Sequence, residues 1–157
     1  MAEDLSRVAV EATRLQNGYA LAIDARDWDS FRTLFTPDVF ARYPNSDYHG
    51  IDDWLKFFIP FHDECAWTLH VLTNHVAGQD GDGIWATCYG WVQWTRHAKP
   101  GYISRAEVLF RDRLVSEHGT WRIARRKLDL LSTQPEVPMT PGVTLVNSVL
   151  DLADWSS

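Results

Sequence analysis

At Cys65 the chain changes its rhythm. Before it, apolar residues recur every three or four positions; after it, they recur every second one. The longer period belongs to helices with one buried face and the shorter to strands with one buried face. A chain that spends its first part on the one and its second part on the other is an α+β protein, with helices laid against a sheet.

In the first part, Leu5, Val8, Ala12, Leu15, Tyr19 and Ala22 mark an amphipathic helix over residues 3–25. Asp27 is placed to cap the next helix, whose inner face carries Trp28, Phe31, Leu34 and Phe35, and "TPD" at 36–38 ends it. "VFARY" at 39–43 reads as a short strand and "PNSD" as a turn. Residues 51–61 form a third helix, closed by Pro60.

In the second part, strands are predicted at 67–76, 84–95, 102–115 and 121–131. The connections "GQDGDG", "KPG" and "SEHGT" are of hairpin length, which implies an antiparallel meander. "STQPEVPMTPG" reads as a loop, and residues 143–155 as a terminal helix with a broad apolar face. The chain is expected to be one domain over 1–157, with its core at about 5–131. The segment 132–157 is expected to act as a lid, so that ending the chain after Pro135 leaves the fold intact.

Composition excludes several partners. The formal net charge is −6, and no run of Lys or Arg makes a stripe for nucleic acid or anionic lipid. No apolar run approaches the roughly 20 residues that span a bilayer. The start "MAEDLSRVAV" has neither the basic nor the apolar region of a secretory signal, which points to the cytoplasm. Cys65 and Cys88 make neither a disulfide framework nor a zinc motif. No other His, Cys or Asp cluster has metal-ligand spacing, and no Gly-rich loop suits a nucleotide, so no cofactor is expected.

The ordered set "DARDWDSFRTLFTPDV", "HGIDDWLKFF", "TLHVLTNHV", "DGDG" and "GTWRIARR" resembles the SnoaL-like branch of the nuclear-transport-factor-2-like superfamily over residues 5–131. The resemblance implies a cone-shaped α+β barrel, a curved and mostly antiparallel sheet wrapped around three N-terminal helices, with a cavity inside. The active-site likeness is to scytalone dehydratases. It places Asp24 of "DARDWD" on that family's catalytic aspartate, His70 of "TLHVLTN" on a catalytic histidine, and Tyr43 of "FARY" on one of two water-orienting tyrosines. The second tyrosine falls on Ile23, the second histidine near Trp94, and that family's late-strand serine and asparagine near Val108 and Phe110, so about half of the polar set is apolar here.

The residues support a common reading of this set. A carboxylate that takes the N–H of one ring nitrogen fixes the imidazole tautomer and leaves the other nitrogen as a general base. Asp24 and His70 are that pair, with Tyr43 as donor to a carbonyl or a bridging water. Asn74 shares a strand face with His70 by alternation and is a further candidate donor. Val92, Trp94, Val108, Phe110 and Leu128 would form an apolar wall for a ring-shaped substrate. His75 points to the opposite face, and "HDE" at 62–64 reads as a solvated loop. Arg105, Glu107, Arg111 and Arg113 alternate onto the outer face.

Two classes of function follow. One is a cofactor-independent lyase or isomerase, of dehydratase or cyclase type, acting next to a carbonyl of a small cyclic or polyketide-like substrate. The other is a non-catalytic protein, either the small subunit of a ring-hydroxylating dioxygenase or a binder of small molecules. A homodimer or homotrimer is expected.

Overall fold

The structure is a computed structural model and describes residues 4–139. Its helices are α1 (Leu5–Asp24), α2 (Trp28–Thr33) and α3 (Ile51–Asp63). Its strands are β1 (Phe35–Tyr43), β2 (Ser46–His49), β3 (Cys65–Asp80), β4 (Gly83–Arg96), β5 (Tyr102–Glu117) and β6 (Thr120–Pro138). They form one sheet in the order β2-β1-β6-β5-β4-β3. The pairs from β3 to β6 are antiparallel, as the hairpin-length connections require, whereas β1 runs parallel to β6. The expected cone of helices inside a curved sheet is the architecture observed.

α1 starts on Asp4, whose side chain accepts from Ser6 N at 3.0 Å. It buries Val8, Ala12, Leu15, Tyr19 and Ile23 along one stripe. These meet Phe31, Phe35, Val39, Trp54, Phe58, Phe110, Trp121 and Ile123 in the core. Aromatic side chains supply much of that area, and their tilted and edge-on contacts suit the ring quadrupoles. Asp27 caps α2 by accepting from Ser30 N at 2.9 Å, as the sequence suggests. Among the described residues no helix is long and apolar enough to cross a membrane.

Four local expectations are corrected. β1 begins at Phe35, so "TPD" lies inside a strand, where a register shift between Phe35 and Phe40 accommodates Pro37. The turn after Tyr43 is shorter than expected, because Ser46–His49 returns as β2. Pro60 does not close α3, which runs on to Asp63. The hydrogen bond it deletes would have gone to the carbonyl of Lys56, an exposed residue. Finally, β6 continues through most of the expected loop, pairing Gln134 with Arg105 and Pro138 with Tyr102. Pro135 is therefore strand, and a chain ended there would lose the tip of the sheet. The terminal helix and its lid role at 140–157 lie outside the described residues.

The long strand β3 carries the feature that most shapes the interior. Its register with β4 shifts between Thr73 and Val76, and Asn74 there has φ 58°. An extra residue in a strand leaves one unpaired and turns the following side chains over. Thr68, His70 and Leu72 face inward before the bulge; His75 and Ala77 face inward after it. On the outer face Val71, Tyr89, Trp91 and Leu131 stay exposed.

Candidate active site

Asp24 is the last residue of α1, and the way the helix ends sets its direction. Arg26 takes the left-handed conformation (φ 58°). Its N–H reaches back to Ile23 O at 3.0 Å, and Asp27 N–H to Ala22 O at 2.8 Å. This is the Schellman closure, usually made with glycine. The Arg26 side chain offsets the strain by donating to Ile23 O at 2.7 Å and to Thr68 Oγ1 at 2.9 Å.

A carboxylate at the C-terminal end of a helix faces the negative end of the helix dipole. Three donors stabilise it. Oδ1 accepts from Thr68 Oγ1 at 2.8 Å and from His70 Nδ1 at 2.7 Å, and Oδ2 accepts from His70 N at 2.8 Å. The side chain is 2% exposed and that of His70 6%. Because an ionised carboxylate can only accept, Nδ1 carries the proton and Nε2 of neutral His70 carries the lone pair.

Tyr43 reaches the same region from β1. Its hydroxyl lies 2.9 Å from that of Tyr19 on α1. Burial raises the Tyr19 phenol to about 12 and lifts Tyr43 well above its ordinary value, so both are donors at neutral pH. When Tyr19 donates to Tyr43, the Tyr43 proton is free for a third group. Tyr19 edges onto His70, with ring centroids 6.1 Å apart.

Beneath the tyrosines lies a buried ion pair. Arg126 Nε and Nη2 donate to Asp112 at 2.7 and 2.8 Å, and both side chains are 0% exposed. Burial alone would lower the guanidinium's pKa; the Asp112 carboxylate more than offsets this and raises it. Gln16 donates to Asp112 at 3.0 Å and accepts from His75 Nδ1 at 2.7 Å. The Arg126 guanidinium stacks on Tyr19, 4.2 Å from the ring centroid.

His70, Tyr19 and Tyr43 open onto a cavity of about 390 Å³. That lies within the range of about 300–1,000 Å³ typical of small-molecule sites. Val92, Trp94, Val108, Phe110 and Leu128 all line it, as the alternation of β4–β6 suggests. The Nε1 atom of Trp94 is buried without a hydrogen-bond partner. Behind the wall, Gly90 has no side chain, and a Cβ there would stand 2.8 Å from both Phe110 and Val108.

Asn74 does not join this set. It is exposed at the bulge, because the extra residue breaks the alternation that linked it to His70. His75, expected outside, points inward for the same reason. His62, expected in a solvated loop, is buried in α3 and lines the cavity, because the helix passes Pro60. Tyr19 was visible only as one member of an apolar stripe. The outer-face reading of Arg111 and Arg113 holds, with Arg111 paired to Asp129 and Arg113 to Asp80. Among the described residues no three His, Cys, Asp or Glu side chains gather as a metal site.

Residues 6–127 match the model of the SnoaL-like domain, and the chain belongs to that family. No curated protein matches by sequence. Among solved structures, a provisionally assigned scytalone dehydratase from Novosphingobium aromaticivorans superposes with a TM-score of 0.75 at 19% identity, covering 93% of this chain and 96% of that one. A provisionally assigned aromatic ring hydroxylase from the same organism gives 0.75 at 18% identity, covering 87% and 96%. A hexachlorocyclohexane dehydrochlorinase, LinA type 2, gives 0.69 at 14% identity, covering 88% and 95%. At these identities the likeness is one of fold.

Proposed function

We propose that this protein is a cofactor-independent lyase or isomerase that removes a proton from carbon next to a carbonyl. The observation that carries the reading is the 2.7 Å contact of Asp24 Oδ1 with His70 Nδ1 at the edge of a cavity that also holds the Tyr19–Tyr43 hydroxyl pair. His70 Nε2 takes the proton, and the C–H electron pair moves into the carbonyl as an enolate. Asp24 stabilises the imidazolium that results. Tyr43, polarised by Tyr19, donates to the enolate oxygen. In elimination, imidazolium returns the proton to a departing hydroxyl, which leaves as water while the C=C bond forms. In isomerisation the proton returns to another carbon.

The apolar walls suit a flat cyclic or polyketide-like substrate. The neighbours described as a dehydratase and a dehydrochlorinase support an elimination. The non-catalytic reading draws on the same carboxylate, since two of its three bonds, to Thr68 and to His70 N, tie the end of α1 to β3.

The test is deuterium exchange at the carbon next to the carbonyl of cyclic ketones, followed by NMR. Exchange that needs both His70 and Asp24 supports the reading. Binding without exchange supports a small-molecule carrier.

A further inference from the structure

Two imidazoles face one cavity, and they are held by different partners. His70 gives its Nδ1 proton to a carboxylate. His62 gives its Nδ1 proton to the Phe58 carbonyl at 2.7 Å, since a carbonyl can only accept. Nε2 of His62 is then the nitrogen with the lone pair, and among the described residues no hydrogen bond reaches it. The ring centroids of His62 and His70 are 6.5 Å apart, too far for the rings to bond each other and close enough for one small molecule to touch both.

The setting of His62 is costly for such a group. It is 3% exposed and packed against Phe58, Phe61 and Trp28, with centroids at 4.6, 5.2 and 5.6 Å. Burial pushes its pKa down to about 4, with His70 and Arg26 adding to the effect, so the ring is neutral at physiological pH. A leucine or phenylalanine would fill this wall without offering a lone pair to the cavity. The cavity otherwise presents donors, the tyrosine hydroxyls, and the base on His70. Thr68 Oγ1, also in the lining, is already engaged by Asp24 and Arg26, and Asn45 spends its amide N–H on Tyr48. His62 adds an uncharged ring acceptor within reach of the same molecule that His70 faces.

We propose that His62 is a substrate-contacting residue whose Nε2 accepts a hydrogen bond from a free hydroxyl of the substrate, while His70 faces the acidic carbon of the same molecule. This rests on the reading of the cavity given above and narrows its substrate to a hydroxylated cyclic ketone. Ethers of that hydroxyl are rejected, because they leave the acceptor without a donor.

The probes are 6-hydroxy-1-tetralone and 6-methoxy-1-tetralone, bicyclic ketones that differ in this one group. Each is titrated calorimetrically into the full chain, wild type, His62→Phe and His62→Gln. The wild type is expected to prefer the hydroxy ketone by about tenfold, near the value of one hydrogen bond that is made or missed. His62→Phe should bind both alike, and His62→Gln should keep part of the preference. In ¹⁵N spectra of the wild type, the His62 Nε2 resonance should move with the hydroxy ketone and stay with the methoxy one. An unchanged preference in His62→Phe, or a stationary Nε2 resonance, overturns the inference while leaving ketone binding intact. If His62→Phe does not fold, the wild-type resonance decides. Failure of both ketones to bind would overturn the catalytic reading and this inference with it.

Discussion

Asp24 holds His70 twice: one carboxylate oxygen takes the ring Nδ1–H at 2.7 Å and the other takes the backbone N–H of the same residue at 2.8 Å. The ring cannot rotate without breaking the first bond, and the strand cannot slip without breaking the second. On the proposed function, chemistry and architecture share one carboxylate, and substitutions separate them. Asp24→Asn and His70→Ala should each lower the exchange rate by roughly 10²-fold or more, the usual worth of a positioned base. The double variant should be little worse than the worse single one. Asp24→Ala should also lose about 2–4 kcal/mol in urea unfolding, because Thr68 and the His70 N–H lose their acceptor. Multiplicative kinetic losses would show that the two residues act apart.

Tyr19 and Tyr43 both line the cavity, with their hydroxyls 2.9 Å apart. Tyr43→Phe should slow exchange by about tenfold or more, as loss of one enolate donor does, and Tyr19→Phe should slow it less. Ultraviolet titration should find both phenols still protonated at pH 10 and Tyr19 ionising near 12. A folded-state pKa above the unfolded one means that the folded state holds the proton longer. The stability is present below pH 10 and is lost as pH rises toward 12.

His62 works in the opposite sense. Its folded pKa of about 4 lies below the unfolded value of 6.5, so the unfolded chain binds the proton first. Its contribution is present above pH 6.5 and is lost as pH falls toward 4, on the order of 3 kcal/mol in all. Urea unfolding across that range should show a shallower acid loss for His62→Phe than for the wild type. Parallel curves would mean that His62 already reaches solvent.

Arg126 and Asp112 should behave as a unit. Arg126→Met leaves a buried carboxylate without its cation and should cost about 3–5 kcal/mol. Pairing it with Asp112→Leu should recover much of that loss, and a double-mutant cycle by urea unfolding measures the coupling. Additive losses would mean that the pair is screened from neither solvent nor its neighbours.

Much of this was legible in the sequence, for a reason that also marks the limit. The change of period at Cys65 places the helices and the meander, because one buried face per element leaves a fixed pattern. The apolar wall followed by counting in twos along β4, β5 and β6, which keep their alternation over the cavity. In β3 the same counting succeeds to Leu72 and fails at Asn74, where a bulge puts an asparagine in the left-handed region, a weak signal inside an alternating strand. His62 is hidden because proline signals a helix stop, although proline in the last turn deletes only one bond. Tyr19 gave no sign of polar work, since a buried tyrosine fills an apolar stripe as well as a phenylalanine does. The buried role of Arg126 was hidden in "RIARRK", where alternation alone says which arginine turns inward only once Asp112 is known to face it across the sheet.

Gly90 sets the capacity of the cavity by what it lacks. A methyl group at that position would stand 2.8 Å from Phe110 Cε2 and Val108 Cγ2 and 3.0 Å from Leu72 Cδ2, all ends of side chains and none of them backbone. The space they have to yield into is the cavity that Phe110 and Val108 line. One backbone position therefore works as a dial on the size of molecule admitted, without touching the molecule. An alanine at this point of the sheet would press these side chains toward the cavity and narrow it from behind, with no change to His70, Tyr19 or Tyr43 themselves.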